Sequence, residues 1–513
     1  MGDQLKAAWA LLPSYLGQHV LLSVSALLLG LLLSLPLAVL AARDARLRWP
    51  VLALASLIQT IPGLALLALF YPLLLALSAL LHLRLPALGF LPSLLALTLY
   101  SMLPVLRNGV AGIVGVDPAA REAADGLGMT AGQKLWRVEL PLAAPVIMAG
   151  VRTAAVWTIG AATLSTPVGQ PSLGNYIFSG LQTEDWVSVL FGCAASAVLA
   201  LVADQLLGLI ENGLEHRRRG RILGGVFGLI VGVLAATAPL MVHASQPRYV
   251  IGAKNFSEQF ILAGLIGQRL EAEGAAAETR EGLGSAVIFR ALAAGDIDAY
   301  VDYSGTLWTN VLGRRDIPGR QAMLVALKSE LKARYGVTLV GPLGFENAYA
   351  LAMKADRAKA LGVATLADLA PAAPRLQLGG DLEFLSRPEW ASIQRTYGLN
   401  FRAARAYNPT FMYRALDSGQ ADVISAFSSD GRIAADHLVT LADPRGAIPA
   451  YDAVLLVSPR RAGDERLLGA LRPLVGRIPV EAMREANLSV DRDRDKVTPD
   501  AAAAVLGHRL HLE

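Results

Sequence analysis

Long apolar stretches separated by short polar segments make up the first half of the chain. A helix needs about 20 mostly apolar residues to cross a bilayer. Six stretches are long enough: residues 19–41, 51–80, 87–106, 143–165, 186–210 and 222–243. Ile61, Pro62 and Gly63 interrupt the second stretch, and a broken membrane helix needs neighbours or a water-filled cavity to satisfy its backbone. We therefore predict an all-α membrane domain of six spans, with a break that suggests a solute pathway.

The second half of the chain has a different pattern, in which short β-type runs alternate with helical ones. Residues 249–252 have the pattern of a strand, and residues 257–272 have that of an amphipathic helix. A second helix is predicted at residues 286–294, and it leads into the stretch Asp298–Tyr303. Strands that alternate with helices favour an α/β fold with mostly parallel sheets. The length of this half suggests two lobes with a cleft.

The charged residues divide the chain at the same place. The whole chain is 17% charged and 54% apolar, whereas a soluble protein has about 25% charged residues. Residues 1–246 carry 14 Lys and Arg with 11 Asp and Glu, against 32 and 31 in the remainder. We predict a transmembrane domain at residues 1–243, a linker at 244–248 and a water-soluble domain at 249–513. The net charge of +4 and the lack of a basic stripe argue against nucleic acid as a partner.

Basic residues mark every second loop between the predicted spans, and Lys and Arg are enriched in cytoplasmic loops. The three basic loops contain Arg43, Arg46 and Arg48, then Arg107, Arg121, Lys134 and Arg137, then Arg217, Arg218, Arg219 and Arg221. The intervening loops carry Arg84 alone and Glu184 with Asp185. The basic loops are therefore predicted to be cytoplasmic, which leaves the N-terminus and residues 244–513 on the extracytoplasmic side.

The last apolar stretch has a second interpretation. A basic segment at 216–221 precedes it, and Val242, His243 and Ala244 follow it in a pattern similar to a signal-peptide cleavage site. The apolar part of a signal peptide has about 7–15 residues, and this run is longer. We therefore interpret it as a sixth span that keeps the soluble half attached to the membrane.

The long cytoplasmic loop at residues 117–141 contains a spaced motif. It reads Glu-Ala-Ala, three residues, Gly, nine residues, then Val, any residue and Leu-Pro, and it resembles the EAA loop of ABC importer permeases, which have Ile where Val stands here. The resemblance implies that this loop docks on a separate cytoplasmic ATPase. An ordinary amphipathic loop helix is the alternative. The motif residues are Glu122, Ala123, Ala124, Gly128, Val138, Leu140 and Pro141.

Nucleotide-binding motifs are not convincing in the same loop. Gly126–Ala131 has the spacing of a dinucleotide fingerprint, but no strand precedes it, and Leu135 stands where a phosphate loop needs Ser or Thr. We expect no cofactor in this chain, with ATP and Mg²⁺ used by the partner ATPase. We also predict no catalytic residue and no metal site, since no nucleophile–base pair stands out and His508 and His511 are too loosely placed.

Four segments of the second half resemble one family: Gly252–Gln259, Asp302–Thr306, Gly344–Tyr349 and Phe427–Arg432. They are similar to the substrate-binding proteins of osmoprotectant ABC importers, which take glycine betaine, choline, carnitine and relatives. The resemblance covers the whole soluble half and implies a two-lobed α/β domain like a periplasmic binding protein. Together with the permease motif, it implies a fused importer subunit in a bacterial plasma (inner) membrane.

Aromatic residues suit the cationic end of such a ligand. A quaternary ammonium donates no hydrogen bond, so a protein holds it against aromatic faces that each contribute about 0.5–2 kcal/mol. The family uses a cage of four aromatics, and the resemblance places it at Tyr303, Tyr349, Phe427 and Tyr451. The family favours Tyr at the third position, so this cage lacks one hydroxyl. Each of these residues could otherwise belong to the hydrophobic core.

The opposite end of a betaine is a carboxylate, and the resemblance assigns it to Lys254, Thr306 and Arg387. Two cations and a hydroxyl suit a carboxylate, which Arg binds in bidentate fashion. Arg387 could instead be a solvated surface residue. Choline has no carboxylate, so we expect its binding to leave two positive charges buried and unpaired. Asp302 and Asp430 are expected to be structural or to help to close the lobes.

These expectations favour the membrane and substrate-capturing component of an ATP-driven importer for trimethylammonium zwitterions such as glycine betaine. Two copies of the chain are expected to form the pathway as a homodimer, with one ATPase on each coupling loop. Ergothioneine also joins a trimethylammonium to a carboxylate and is the alternative ligand. A ligand sensor or ligand-gated channel with the same soluble domain is the alternative from another class of protein.

Overall fold

The structure is a computed structural model, and it describes residues 2–82, 85–183, 185–242, 248–492 and 494–512. Arg84, Glu184 and residues 243–247, which include the cleavage-like site and most of the predicted linker, lie outside the described residues. The described chain divides into two compact units. One unit holds residues 5–177 and 188–242, and the other holds residues 248–512 together with the short pieces 2–4 and 178–187.

The first unit is helical. Six of its described helices are long and apolar enough to cross a membrane, as predicted, and they run Gln4–Arg43, Gly63–Leu81, Phe90–Val114, Ala131–Val168, Trp186–Glu215 and Arg219–Leu240. The first begins well before residue 19, because residues 2–18 are rich in good helix formers and continue the same helix, Gly2–Arg43. The span Ala131–Val168 is built from Ala131–Lys134, a π-helical turn at Leu135–Glu139, Leu140–Ala162 and a 3₁₀ turn at Thr163–Val168.

The interrupted apolar stretch is broken where the sequence predicts it. The helix Ala45–Thr60 ends before Ile61 and Pro62, which are extended, and the helix Gly63–Leu81 follows them. Tyr100 lies on a neighbouring helix and donates its hydroxyl hydrogen to the freed carbonyl of Ile61. The expectation that a neighbour satisfies the broken backbone is therefore confirmed.

Two five-stranded sheets form the centre of the second unit, one in each lobe. The first lobe contains β1 (Arg248–Lys254), β2 (Ala276–Leu283), β3 (Ala299–Tyr303), β4 (Thr338–Glu346) and β10 (Asp452–Val457), in the order β2-β1-β3-β10-β4. The second lobe contains β5 (Tyr349–Lys354), β6 (Gln377–Asp381), β7 (Ala403–Tyr407), β8 (Val423–Phe427) and β9 (Leu438–Thr440), in the order β7-β6-β8-β5-β9. The α/β class predicted for this half is confirmed.

The expectation of mostly parallel sheets is wrong. β1 is parallel to β2 and β3, and β6 is parallel to β7 and β8, but β10 and β5 are antiparallel to both of their neighbours. The chain crosses to the second lobe between β4 and β5, and it returns between β9 and β10. A strand that enters from the other lobe starts at the cleft, so it runs opposite to the strands that end there.

The two crossing segments lie side by side and form the hinge of the lobes. Asn347 follows β4, and its backbone N–H donates to the carbonyl of Tyr451 at 2.9 Å. Glu346, which precedes Asn347, is paired in register with Asp452, which follows Tyr451. The hinge therefore lies at the same edge of the sheets as the cleft.

Helices cover both sheets of this unit. Longer ones are Ser257–Ala272, Ser285–Ala294, Arg320–Tyr335, Ala355–Leu361, Leu382–Ser386, Pro388–Tyr397, Pro409–Asp417, Glu465–Leu471, Val480–Asp491 and Pro499–Arg509. The first two occur where the sequence predicts them, but Ser257–Ala272 is not amphipathic. It is buried on nearly every face, because β1 and β2 pack on one side and the helices Val480–Asp491 and Pro499–Arg509 on the other.

Candidate functional site

A cavity of about 660 Å³ lies in the second unit, at the cleft edge of both sheets. Small-molecule sites commonly have volumes of about 300–1,000 Å³. Its wall contains all seven residues that the resemblance assigns to a ligand: Lys254, Tyr303, Thr306, Tyr349, Arg387, Phe427 and Tyr451. The fold thus brings together residues that are far apart in the sequence.

Strand ends position most of these residues. Lys254, Tyr303 and Phe427 are the last residues of β1, β3 and β8. Tyr349 is the first residue of β5, and Tyr451 lies directly before β10. In open α/β sheets the carboxyl ends of parallel strands meet at one crevice, and here the strands that enter from the other lobe begin at the same crevice.

The four predicted aromatic rings belong to one group. The ring centroid of Tyr349 lies 4.9 Å from that of Phe427 and 5.6 Å from that of Tyr451, with interplanar angles of 43° and 88°. Tyr303 joins the group through a fifth ring, Phe256, which stacks on Tyr303 at 6.2 Å and on Phe427 at 5.9 Å. All five rings line the cavity, which gives it the aromatic surface that cation–π binding of an ammonium requires.

Phe256 is a cavity residue that sequence reasoning missed. It has an extended backbone with φ −152° and directly precedes the helix Ser257–Ala272. Its ring lies within 7° of the plane of Phe427. The signal was present in the sequence, since Phe256 stands inside the Gly252–Gln259 segment two residues after Lys254, and an aromatic placed there enters the same cleft.

The Tyr451 ring is held in one position by its close packing against Gly305 and by a hydrogen bond of its hydroxyl. A Cβ at Gly305 would lie 2.6 Å from two atoms of the Tyr451 ring, so only glycine allows this close approach. The Tyr451 hydroxyl donates to Glu389. Burial, together with this carboxylate, raises the pKa of Tyr451 well above its usual value, so the ring presents a neutral face to the cavity.

A buried carboxylate, Glu258, holds Tyr303 and connects the two lobes. Tyr303 donates its hydroxyl hydrogen to Oε1 of Glu258 at 2.6 Å, and Asn347 donates to the same oxygen at 3.0 Å. Ser429 and Asn487 donate to Oε2 at 2.5 and 3.0 Å. Burial raises the pKa of Glu258, although these hydrogen bonds act in the opposite direction. Sequence reasoning missed this residue, because an acidic residue at the start of a helix is common.

Each buried cation of the cavity has a carboxylate partner. Nζ of Lys254 lies 2.5 Å from Oδ1 of Asp302, and both side chains are buried. Arg387 is paired with Glu383, and its Nη1 lies 3.7 Å from Oε1 of Glu389. The expectation that choline would leave two positive charges unpaired is therefore wrong. A buried charge without a partner is costly, and the fold itself supplies the counter-ions.

Arg387 is an interior residue, which excludes the interpretation of it as a solvated surface arginine. Its side chain is 4% exposed. Its Nη1 lies 3.4 Å from Oγ1 of Thr306, and its guanidinium carbon lies 5.1 Å from the centroid of the Tyr349 ring. The predicted cationic and aromatic ends of the cavity are thus in contact.

Carboxyl groups outnumber cations around the cavity. Asp381 and Glu383 line it, and Asp302 and Glu389 are paired to the cations of its wall. Burial acts to raise the pKa of Glu383, but the charges of Arg387 and Lys254, together with hydrogen bonds from Ser285 and Arg387, outweigh this effect and hold the pKa below its usual value. Burial raises the pKa of Asp381. Four carboxyl groups beside two cations favour a ligand that carries positive charge.

Asp430, the other acidic residue singled out from the sequence, does not line this cavity. It accepts a hydrogen bond from the hydroxyl of Tyr413 at 2.5 Å and forms an ion pair with Arg432 at 3.2 Å. Its contacts are therefore structural. No group of three or more His, Cys, Asp or Glu side chains suited to a metal ion occurs among the residues that the structure describes.

The helix Pro118–Gly126 in the first unit contains the Glu-Ala-Ala part of the spaced motif at residues 117–141. Asp117 caps this helix by accepting a hydrogen bond from a backbone N–H of its first turn at 2.9 Å. Glu122 and Ala123 are exposed, whereas Ala124 is buried. One face of the helix therefore packs inward and the other faces solvent.

The remaining motif residues shape the two ends of the same loop. Gly128 has φ +70°, in the left-handed region that favours glycine, and the N–H of Met129 donates back to the carbonyl of Ala124 at 3.1 Å. Leu140 and Pro141 begin the helix Leu140–Ala162. Pro141 has no N–H to donate, and the π-helical turn Leu135–Glu139 lies shortly before it in the same continuous span.

Glu139 is another residue that sequence reasoning missed, although it stands inside the motif. Its side chain is buried, and its carboxylate lies 3.5 Å from Arg121 and 3.9 Å from Arg43. Arg43 also donates to the carbonyl of Ala131 at 3.0 Å. These contacts tie the coupling loop to the cytoplasmic end of the first long helix.

Comparison with known proteins assigns both halves of the chain. Residues 247–505 match the substrate binding domain of ABC-type glycine betaine transport systems, and residues 34–216 match the inner membrane component of binding-protein-dependent transport systems. A relative from Helicobacter pylori strain G27, the ergothioneine transport permease/ergothioneine binding protein EgtU, is 26% identical over 86% of this chain and 80% of its own.

Two other similar proteins each match one half of the chain. The choline transport system permease protein OpuBB of Bacillus subtilis strain 168 is 40% identical over 38% of this chain and 85% of its own. A solved structure of a glycine betaine/carnitine/choline ABC transporter is 27% identical, with a TM-score of 0.45, over 52% of this chain and 99% of that one.

Replacement of Phe256 by Leu tests whether the fifth ring belongs to the ligand site. Loss of one π face should weaken the binding of tetramethylammonium about five- to thirtyfold, which corresponds to about 1–2 kcal/mol. Phe427→Leu should give a loss of similar size, because the two rings stack on each other. Titration calorimetry on the purified chain measures both variants.

Tyr335→Leu is the control, since Tyr335 ends the helix Arg320–Tyr335 and lies outside the cavity wall. It should bind the probe as the wild type does. Wild-type affinity in Phe256→Leu beside a clear loss in Phe427→Leu would make Phe256 a core residue rather than part of the cage.

Proposed function

We propose a ligand for this chain, which belongs to the family of substrate-binding domains of ABC-type glycine betaine transport systems and joins such a domain to an inner membrane permease component. The chain is thus the permease and substrate-binding component of an osmoprotectant ABC importer, a multi-pass inner membrane protein with an external binding domain. Its ligand is a trimethylammonium compound, glycine betaine or a related zwitterion. The aromatic group beside four carboxyl groups is the observation that carries this proposal.

The aromatic group accounts for the ammonium end of the ligand. Methyl groups on nitrogen leave no hydrogen to donate, so the charge is stabilised by π faces and by nearby negative charge. Tyr349 and Phe256 each lie within stacking distance of Phe427, with centroids 4.9 and 5.9 Å from its ring. The surrounding carboxylates lower the energy of a cation in the cavity.

Lys254, Thr306 and Arg387 account for the other end of a zwitterion. The guanidinium and the hydroxyl lie within 3.4 Å of each other, so one carboxylate oxygen can contact both groups. Since both cations already have carboxylate partners, a ligand carboxylate competes with existing ion pairs rather than neutralising bare charges. Cations that lack a carboxylate are therefore also candidates, and choline is among them.

Ergothioneine is a second candidate ligand. It carries the same trimethylammonium and carboxylate groups with an additional imidazole-thione ring. The relative that is similar over 86% of the chain, covering both the permease and the binding domain, is named for ergothioneine. A cavity of about 660 Å³ has room for a ligand larger than glycine betaine.

The coupling loop supports the proposal of an ATPase partner on a separate polypeptide. Leu127 and Trp136 are 77% and 73% exposed in this loop, and Lys134 joins the two segments that carry them through an ion pair with Asp125 at 2.7 Å. Large exposed apolar side chains next to the motif suit a protein contact. A ligand sensor or channel would leave this surface without a purpose. We propose two ATPase copies on a homodimer of this chain.

A ligand panel distinguishes the candidates. Titration of the full chain in lipid nanodiscs with glycine betaine, choline, carnitine and ergothioneine should give binding to trimethylammonium ligands and the tightest binding to the physiological one. Glycine, which lacks the three methyl groups of glycine betaine, is the matched control and should bind at least tenfold more weakly. Equal affinity for glycine and glycine betaine, or no binding of any of the four, would contradict the proposal.

Replacement of Gly128 by Asp tests the coupling loop. The residue has φ +70° and no neighbour near the position of a Cβ, so the change strains the turn and adds a charge to the docking surface without a clash. We expect ATP-driven uptake by vesicles that contain the ATPase to be lost, while ligand affinity stays unchanged. Gly132→Ala is the control, because a Cβ there also meets open space. Uptake at the wild-type rate in Gly128→Asp would show that the turn is not part of the coupling.

A further inference from the structure

Glu383 stands between Arg387 and any ligand carboxylate. It lines the cavity one helical turn before Arg387, on the helix Leu382–Ser386, and forms an ion pair with Nη2 of that arginine. We propose that Glu383 is a specificity-determining residue, an internal carboxylate that competes with the carboxylate of the ligand for Arg387. This inference rests on the proposed function and names the residue that sets the preference between zwitterionic and purely cationic ligands.

One edge of the Arg387 guanidinium is only partly hydrogen-bonded. A guanidinium binds a carboxylate best when two N–H groups on one edge meet two oxygens. Glu383 engages Nη2, while Nε on the same edge is buried and has no hydrogen-bond partner among the described residues. On the other side, Nη1 lies near Thr306 and Glu389. The edge formed by Nε and Nη2 is therefore half occupied, and a ligand carboxylate would complete it by replacing Glu383.

Exposure decides which of the two neighbouring carboxylates is able to leave. The side chain of Glu383 is 40% exposed, whereas that of Glu389 is 1% exposed. Glu389 also accepts hydrogen bonds from Tyr451 and, at 2.9 Å, from Thr309. Apart from Arg387, Glu383 has one side-chain donor, Ser285, at 2.7 Å. Glu383 is thus the movable partner of Arg387, and Glu389 is the fixed one.

The exchange of one carboxylate for another limits what a zwitterion gains. Glycine betaine has to displace Glu383 from Arg387. Its binding free energy therefore gains only the difference between the new ion pair and the one that is lost. Choline leaves the ion pair intact and also benefits from the negative charge of Glu383. Removal of that charge should therefore strengthen the binding of glycine betaine and weaken the binding of choline.

Glu383→Gln tests this inference on the full chain in nanodiscs. Titration with glycine betaine and with choline should show tighter binding of glycine betaine and weaker binding of choline. The ratio of the choline to the glycine betaine dissociation constant should rise about tenfold. A ratio is the useful readout, because a general effect on folding or on closure of the lobes changes both constants in the same direction.

Two further variants keep the result interpretable. Glu465→Gln, at a 73% exposed glutamate on the helix Glu465–Leu471, is the control for loss of one negative charge from this unit and should leave the ratio unchanged. Glu383→Asp keeps the charge but shortens the reach to Arg387, and it should shift the ratio in the same direction as Gln by a smaller factor. It also serves as the test if Gln impairs folding.

The outcomes separate this inference from the proposed function. A wild type that binds neither ligand would overturn the proposed function and the inference with it. A wild type that binds both, with the ratio unchanged or shifted towards choline in Glu383→Gln and Glu383→Asp, would overturn the inference alone. Glu383 would then serve only to hold Arg387 and the two lobes in place.

Discussion

The pairing of buried charges is the constraint on which the ligand cavity depends. Arg387 and Lys254 are almost completely removed from solvent, and a buried cation is tolerated only with partners of opposite charge. The partners of Arg387 come from its own helical turn and from the next helix, while the partner of Lys254 comes from a neighbouring strand. The two cations are therefore neutralised by residues of the protein before a ligand enters. The cavity has more carboxyl groups than cations around it. This surplus makes it a site for a cation with further polar groups.

The same carboxylates connect the two lobes. Glu383 accepts from Ser285 and Glu389 accepts from Thr309, and in both pairs the serine or threonine belongs to the first lobe and the glutamate to the second. Glu258 makes the reverse connection from the first lobe to Ser429. Groups that balance the charge of the cavity thus also hold the cleft together. A ligand that changes the partners of one of these carboxylates changes the contacts between the lobes as well, which joins recognition to closure.

Much of the architecture could be predicted from local pattern. Six apolar stretches, the break at Ile61 and Pro62, and the helix Ser257–Ala272 all follow from length, composition and backbone chemistry, which act over a few residues. Strand direction could not be predicted in this way. The antiparallel placement of β5 and β10 depends on where the chain crosses between lobes, and no feature within either strand records that path.

The residues of the candidate site could likewise be predicted only in part from the sequence. Four motif segments led to Lys254, Tyr303, Thr306, Tyr349 and Phe427, because each motif lies in a short contiguous segment. Arg387 and Tyr451 lie outside these segments and were assigned by the family resemblance alone. Glu383, Glu389 and Glu258 were missed, since their importance comes from partners that are distant in the sequence. Phe256 was missed for a different reason: within its segment, only the charged residue Lys254 was assigned to the ligand. The ion pairs corrected the view that choline would meet unpaired cations, and no pattern along the chain contained that information.

The cavity selects a quaternary ammonium by its charge. Choline and 3,3-dimethylbutan-1-ol have nearly the same shape, but the second has carbon in place of the charged nitrogen. Titration calorimetry of the full chain with both compounds measures the contribution of the charge directly. Cation–π attraction and the surplus of carboxylates predict that choline binds at least tenfold more tightly. Equal affinity for the two compounds would mean that the cavity recognises shape and apolar surface alone, and it would contradict the account.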